Sequence, residues 1–129
     1  MRGCLKLALV AVAALIAFAP QTHAGEFYYR WVDAATGEAS DYLAVIEATN
    51  GSPNYGKVVY KAVVGSLGNA PSAVGYTDDG TRVWVTGFST NRAYIFDVET
   101  DYAKPRLIRT IDDLVEQTGF SGPLGPWPN

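Results

Sequence analysis

Two strand-length runs of this chain can be laid on one another at an offset of 50 residues: Tyr42-Leu43-Ala44-Val45-Ile46-Glu47-Ala48 on Arg92-Ala93-Tyr94-Ile95-Phe96-Asp97-Val98, so that Ile46-Glu47 meets Phe96-Asp97. After a Pro-containing connection in each copy, Lys57-Val58-Val59 meets Arg106-Leu107-Ile108 at an offset of 49. A strand, a turn and a strand recurring at about 50 residues is the spacing of β-propeller blades. Closed propellers need at least about four blades, and the chain beyond its first 24 residues holds about two at that period. Such a piece has open sheet edges, which invite pairing with another chain. The repeat therefore implies a piece of something longer, a protomer that assembles, or a small β fold that is not a propeller.

The rest of the chain reads as further short strands between turns. Gly25 to Val32 gathers Phe27, Tyr28, Tyr29 and Trp31, which suits a strand. Lys57 to Val64, Arg82 to Thr86 and Arg106 to Ile111 are strand candidates, Gly65 to Gly75 is expected to be loop, and Asp78-Asp79-Gly80 is a turn signal. One helix is expected, from Ile111 to Thr118, with Thr110 and Asp113 at capping-box spacing and Gly119 placed to end it. The predicted class is all-β, with about two propeller-like blades forming a partial propeller and one short helix near the C-terminus.

The first 24 residues differ from everything after them. Arg2 and Lys6 precede an unbroken apolar run from Leu7 to Ala19, and Thr22-His23-Ala24 ends it with small residues at the positions that define cleavage. This is the pattern of a secretory signal peptide, and the run is short of the roughly 20 residues that a membrane-spanning helix needs. The expected organisation is a signal peptide at 1–24, a partial propeller at 25–123 and a Pro/Gly-rich tail at 124–129, in a periplasmic or secreted protein. Cys4, His23 and Met1 are the only residues of their kinds, so cleavage after Ala24 leaves none of the three. Disulfides within the mature chain, and Ser-His-Asp or Cys-His triads, are then ruled out. Cleavage also removes Arg2 and Lys6, leaving eight basic against thirteen acidic side chains, a net charge of −5. With the basic residues scattered, neither nucleic acid nor, after cleavage, a membrane is an expected partner. The partners that fit are a second copy or another protein at the open strand edges.

Beyond the repeat, specific runs look familiar. Asp41-Tyr42-Leu43-Ala44-Val45-Ile46 and Ser52-Pro53-Asn54-Tyr55-Gly56-Lys57-Val58 resemble the opening of the selenium-binding protein family, whose members include methanethiol oxidases. Gly68-Asn69 through Gly75-Tyr76-Thr77-Asp78-Asp79, Asn91 to Val98, Ala103 to Leu107, Ile111-Asp112-Asp113 and Ser121-Gly122-Pro123 continue the likeness in order. The resemblance covers residues 41 to 123 and corresponds to the N-terminal part of a family member. It implies a many-bladed propeller, and it implies copper-dependent oxidation of methanethiol to formaldehyde, hydrogen sulfide and hydrogen peroxide, together with selenium binding. Adjacent histidines are expected from the family between Gly-Asn and Gly-Tyr, where this chain has Ser72 and Ala73, and another after Pro123, where it has Leu124. The selenium-linked cysteine of some members has no counterpart after residue 24.

The remaining clusters point to structure more than chemistry. Asp97, Glu99 and Asp101 alternate as in a calcium loop, but Tyr102 stands at the sixth position and Ile108 at the twelfth, where glycine and glutamate are needed. Asp78-Asp79 and Asp112-Asp113 suit turns and caps. Trp31, Trp84 and Trp127 suit a core better than a ligand surface, and Gly65, Gly68 and Gly75 lack phosphate-loop spacing. No catalytic, cofactor-binding or metal-ligating residue is assigned, and neither copper nor selenium is expected as a cofactor. The reading is of an exported fragment or degenerate relative of the family, without metal-dependent oxidase activity on its own. The alternative is a periplasmic binding or protein-interaction module.

Overall fold

The structure, a computed structural model, describes residues 25–125. The expected signal segment, with Cys4 and His23, and the last four residues, with Trp127, lie outside them. Seven strands and one helix follow in order: β1 (Phe27–Val32), β2 (Tyr42–Glu47), β3 (Val58–Val63), β4 (Pro71–Tyr76), β5 (Arg82–Gly87), β6 (Arg92–Asp97), β7 (Arg106–Ile111) and α1 (Leu114–Thr118). They form two antiparallel sheets, β1-β2-β3 and β4-β5-β6-β7, each a simple up-and-down meander. Neither sheet closes into a barrel. Among the described residues no helix is long and apolar enough to cross a membrane.

The repeat at 50 residues has a structural counterpart. In the first sheet Val45 pairs with Tyr60 and Ile46 with Val58, leaving Val59 as an extra residue on β3. In the second, Ile95 pairs with Arg109 and Phe96 with Leu107, leaving Ile108 extra on β7. Val45 and Ile95 are 50 residues apart, and Val59 and Ile108 are 49 apart. A β-bulge thus recurs at the same place in both sheets. β1, β2 and β3 correspond to β5, β6 and β7.

The two sheets approach with β1 beside β4 and β3 beside β7. Between them lie Tyr29, Trp31, Leu43, Val45, Val83, Val85, Tyr94, Phe96 and Val98, all buried. The Trp31 and Tyr94 rings stand 5.7 Å apart, and the Trp31 indole N–H donates to the Thr86 carbonyl across the sheets at 3.0 Å. The Tyr29 hydroxyl donates to the Tyr102 carbonyl at 2.7 Å, and burial pushes that phenol's pKa up to about 12. Trp31 therefore belongs to the core, as its place among strand aromatics predicts.

Two expectations are corrected. Gly65 to Gly75 is not all loop, because Pro71–Tyr76 is a strand that pairs with β5. The helix begins at Leu114 rather than Ile111. Thr110 and Ile111 are held in β7 by pairing with Tyr94 and Ala93, so Thr110 cannot cap a helix. Asp113 takes the N-cap position without a side-chain cap bond, while Gly119 ends the helix at φ 74°, its N–H donating to the Val115 carbonyl. That left-handed conformation is the one glycine adopts without steric cost.

Candidate functional site

The end of the second sheet where β4 starts and β5 turns into β6 is built around Asn69. Gly68 and Ala70 on either side have φ of 71° and 50°, and this double left-handed kink drives the Asn69 side chain inward, where it is fully buried. Its amide donates to Asp41 Oδ2 at 2.8 Å and to Ser66 Oγ at 3.1 Å. Its carbonyl oxygen accepts from Thr90 Oγ1 and Tyr94 Oη, each at 2.7 Å. Gly87 leaves room for this group, since a Cβ there would meet Thr90 Oγ1 at 2.4 Å and Asn69 Oδ1 at 2.8 Å. One side chain thereby ties the β1–β2 connection, the β3–β4 connection, the β5–β6 turn and β6 together.

Asp41 is the ionisable member of the network and only 1% exposed. Burial alone pushes its carboxyl up. The N–H groups of Ala34 and Asn69 and the Asn69 amide more than offset that, so it titrates below the ordinary carboxylate value. Oδ1 accepts from Ala34 at 2.9 Å, and Oδ2 accepts from the Asn69 N–H at the same distance.

Above this network the C-terminal segment folds back over the sheet. The Gly122 N–H donates to Asn91 Oδ1 at 2.7 Å, and Gly122, at φ 70°, sits so close that a Cβ would meet the Phe88 ring at 2.8 Å. Two residues later Ser72 Oγ donates to the Leu124 carbonyl. A Cβ on Gly125 would lie 3.5 Å from the Ala73 methyl. Ser72 and Ala73 on β4 and Leu124 on the tail, 52 residues further along from Ser72, are therefore brought together. Residues 120–125, which include Pro123, lack regular structure, yet over residues 121–125 the segment is docked.

The other singled-out residues serve local roles. Asp79 accepts from Thr77 Oγ1, the Thr81 N–H and Thr81 Oγ1 at 2.6–2.9 Å. These bonds, the Thr77 hydroxyl first, lower its pKa to about 2. Asp97 takes a hydrogen bond from Thr100 and faces Arg82 at 2.8 Å and Arg106 at 3.3 Å, while Glu99 lies 3.8 Å from Arg82. Asp101 caps Ala103 in a turn. The calcium-like alternation is thus divided between ion pairs and a turn. Trp84 is half-buried, its indole nitrogen without a hydrogen-bond partner among the described residues. Among those residues no group of three or more His, Cys, Asp or Glu could hold a metal ion. The Asp41–Asn69 hub has no assigned role in the sequence reading, although Gly68-Asn69 and Asp41 both stand in the matched runs. The glycine ahead of Asn69 is the only local signal of its geometry.

The fold and site define an antiparallel β scaffold whose most elaborate end carries packed polar residues but no imidazole or thiol. No family model matches the chain. It is 40% identical to a methanethiol oxidase of Hyphomicrobium sp over 87 residues, which is 67% of this chain and 20% of that protein. It is 36% identical to a methanethiol oxidase of Ruegeria pomeroyi over 103 residues, 78% of this chain and 23% of that one. A solved structure described as a hypothetical selenium-binding protein from Sulfolobus tokodaii shares the fold with a TM-score of 0.57 at 20% identity, over 70% of this chain and 24% of that chain. Over the matched part, the chain belongs to the selenium-binding protein and methanethiol oxidase family. It spans about a fifth to a quarter of the length of these relatives.

Proposed function

We propose that this chain is a partial propeller scaffold of the methanethiol oxidase family that has no oxidase activity on its own. The observation that carries the reading is the meeting of Ser72, Ala73 and Leu124 at one end of the second sheet. Ser72 and Leu124, 52 positions apart in sequence, meet where the resemblance places the family's imidazoles, Ser72 through its hydroxyl and Leu124 through its backbone carbonyl, while the Ala73 methyl faces Gly125. Copper is held by imidazole nitrogen or soft sulfur, so this donor set does not fit the ion. No step of a copper-dependent oxidation is assigned to these residues. The propeller reading is supported by the matched bulges and by the four-stranded meander, the strand count of a blade. Export is supported by the charged start and apolar run of residues 1–24.

Copper titration of the purified chain, followed by calorimetry, tests the assignment of the site. The unaltered chain is expected to give no stoichiometric binding there, and the triple variant Ser72→His, Ala73→His, Leu124→His is expected to gain it. Stoichiometric copper on the unaltered chain that is lost on Ser72→Ala would place the ion at this site and overturn the reading.

A second reading, a periplasmic interaction module, is favoured by the exposed apolar side chains of β3. Val58, Val59 and Val63 are each 40–58% exposed on an edge strand. The two readings are compatible, since a scaffold without chemistry can still bind a partner.

A further inference from the structure

The correspondence between sheets leaves one strand without a match: β4 covers the edge of β5, and among the described residues no strand is hydrogen-bonded to the equivalent edge of β1. The other edges are defended. β3 and β7 each carry a bulge, and β4 starts at a proline, has a broken register and is crossed by the tail at Ser72. Of the edge strands, β1 is the one that pairs with its neighbour through six residues without a register shift. The Ala48 N–H donates to the Glu26 carbonyl, so ladder bonds fall on the even positions of β1. The alternation of antiparallel pairing then turns the N–H and C=O groups of Phe27, Tyr29 and Trp31 toward the free edge.

The side chains along that edge are self-complementary. Glu26, Tyr28 and Arg30 alternate on the exposed face, with Tyr28 55% exposed, and among the described residues neither Glu26 nor Arg30 has an ion-pair partner. We propose that a second copy of the chain pairs its own β1 antiparallel to this one, centred on Tyr28. Glu26 then stands opposite Arg30 of the second copy and Arg30 opposite its Glu26, with the two Tyr28 rings side by side. Phe27 and Tyr29 exchange backbone hydrogen bonds with Tyr29 and Phe27 of the second copy. The neighbouring register, centred on Arg30, would set like charges directly opposite, which destabilises a strand pair. The charge pattern acid–aromatic–base is what selects a second copy over an unrelated strand. This proposal rests on the open-edge reading and is independent of the missing copper ligands.

Light scattering coupled to gel filtration, on the purified chain as the cell processes it, tests the pairing. The expected result is twice the chain mass. Arg30→Glu and Glu26→Arg are each expected to weaken the dimer roughly tenfold, and the swapped double variant Glu26→Arg/Arg30→Glu to restore it. A monomer at every concentration overturns the proposal together with the open-edge reading. A dimer indifferent to all three variants overturns the β1 register and places the contact elsewhere. Both residues are exposed, so circular dichroism of the variants is expected to match the unaltered chain.

Discussion

At the scale of single residues, Asn69 carries more of the structure than any catalytic-looking group does. Both donors and both acceptor sites of its amide are used by four surrounding side chains. Asn69→Ala leaves Asp41, Thr90 and Tyr94 short of a buried partner, and each orphaned group costs about 1–3 kcal/mol. A loss of about 3 kcal/mol in chemical denaturation is expected. Asp41 beside it makes stability depend on acid. Its folded value lies below that of the unfolded chain, so its contribution is complete above about pH 4 and is lost as pH falls through the folded value. Asp41→Asn is expected to flatten this acid limb in denaturation followed between pH 2 and pH 5. None of this was legible beforehand, because an Asn in a turn-rich stretch looks the same whether its amide faces water or a buried carboxylate.

At the scale of elements, the strands rich in β-branched and aromatic residues read directly from the sequence. Phe27–Val32, Tyr42–Glu47 and Arg92–Asp97 all fall within the runs expected of them. β4 was not legible because Pro71-Ser72-Ala73-Val74-Gly75-Tyr76 contains one β-branched residue and two of low strand propensity. It is a strand because β5 pairs with it, a tertiary effect that local composition does not carry. The helix start was displaced for a similar reason: the capping spacing of Thr110 and Asp113 loses to the β6–β7 ladder, which holds Ile111. Gly119, whose role is set by its own backbone angle, was legible, and Gly119→Ala is expected to cost about 1 kcal/mol. Trp31 joins the two sheets by ring packing and by its bond to Thr86. Trp31→Ala is expected to cost about 3–5 kcal/mol, readable as a shift in the denaturation midpoint.

At the scale of the whole molecule, the repeat and the family were both written in the order of short motifs, and the recurring bulges at Val59 and Ile108 give the repeat a physical form. The meeting of Ser72 with Leu124 was not legible, since it needs the tail pinned by Asn91 and Phe88 to bring distant positions together. That meeting sets Ser72 beside Leu124, two of the positions where the resemblance implies imidazoles. The most direct measurement is methanethiol consumption by the purified chain supplied with copper. A rate equal to that of the same copper in buffer is predicted. Turnover that requires the chain, and yields hydrogen peroxide in proportion to methanethiol consumed, would contradict it.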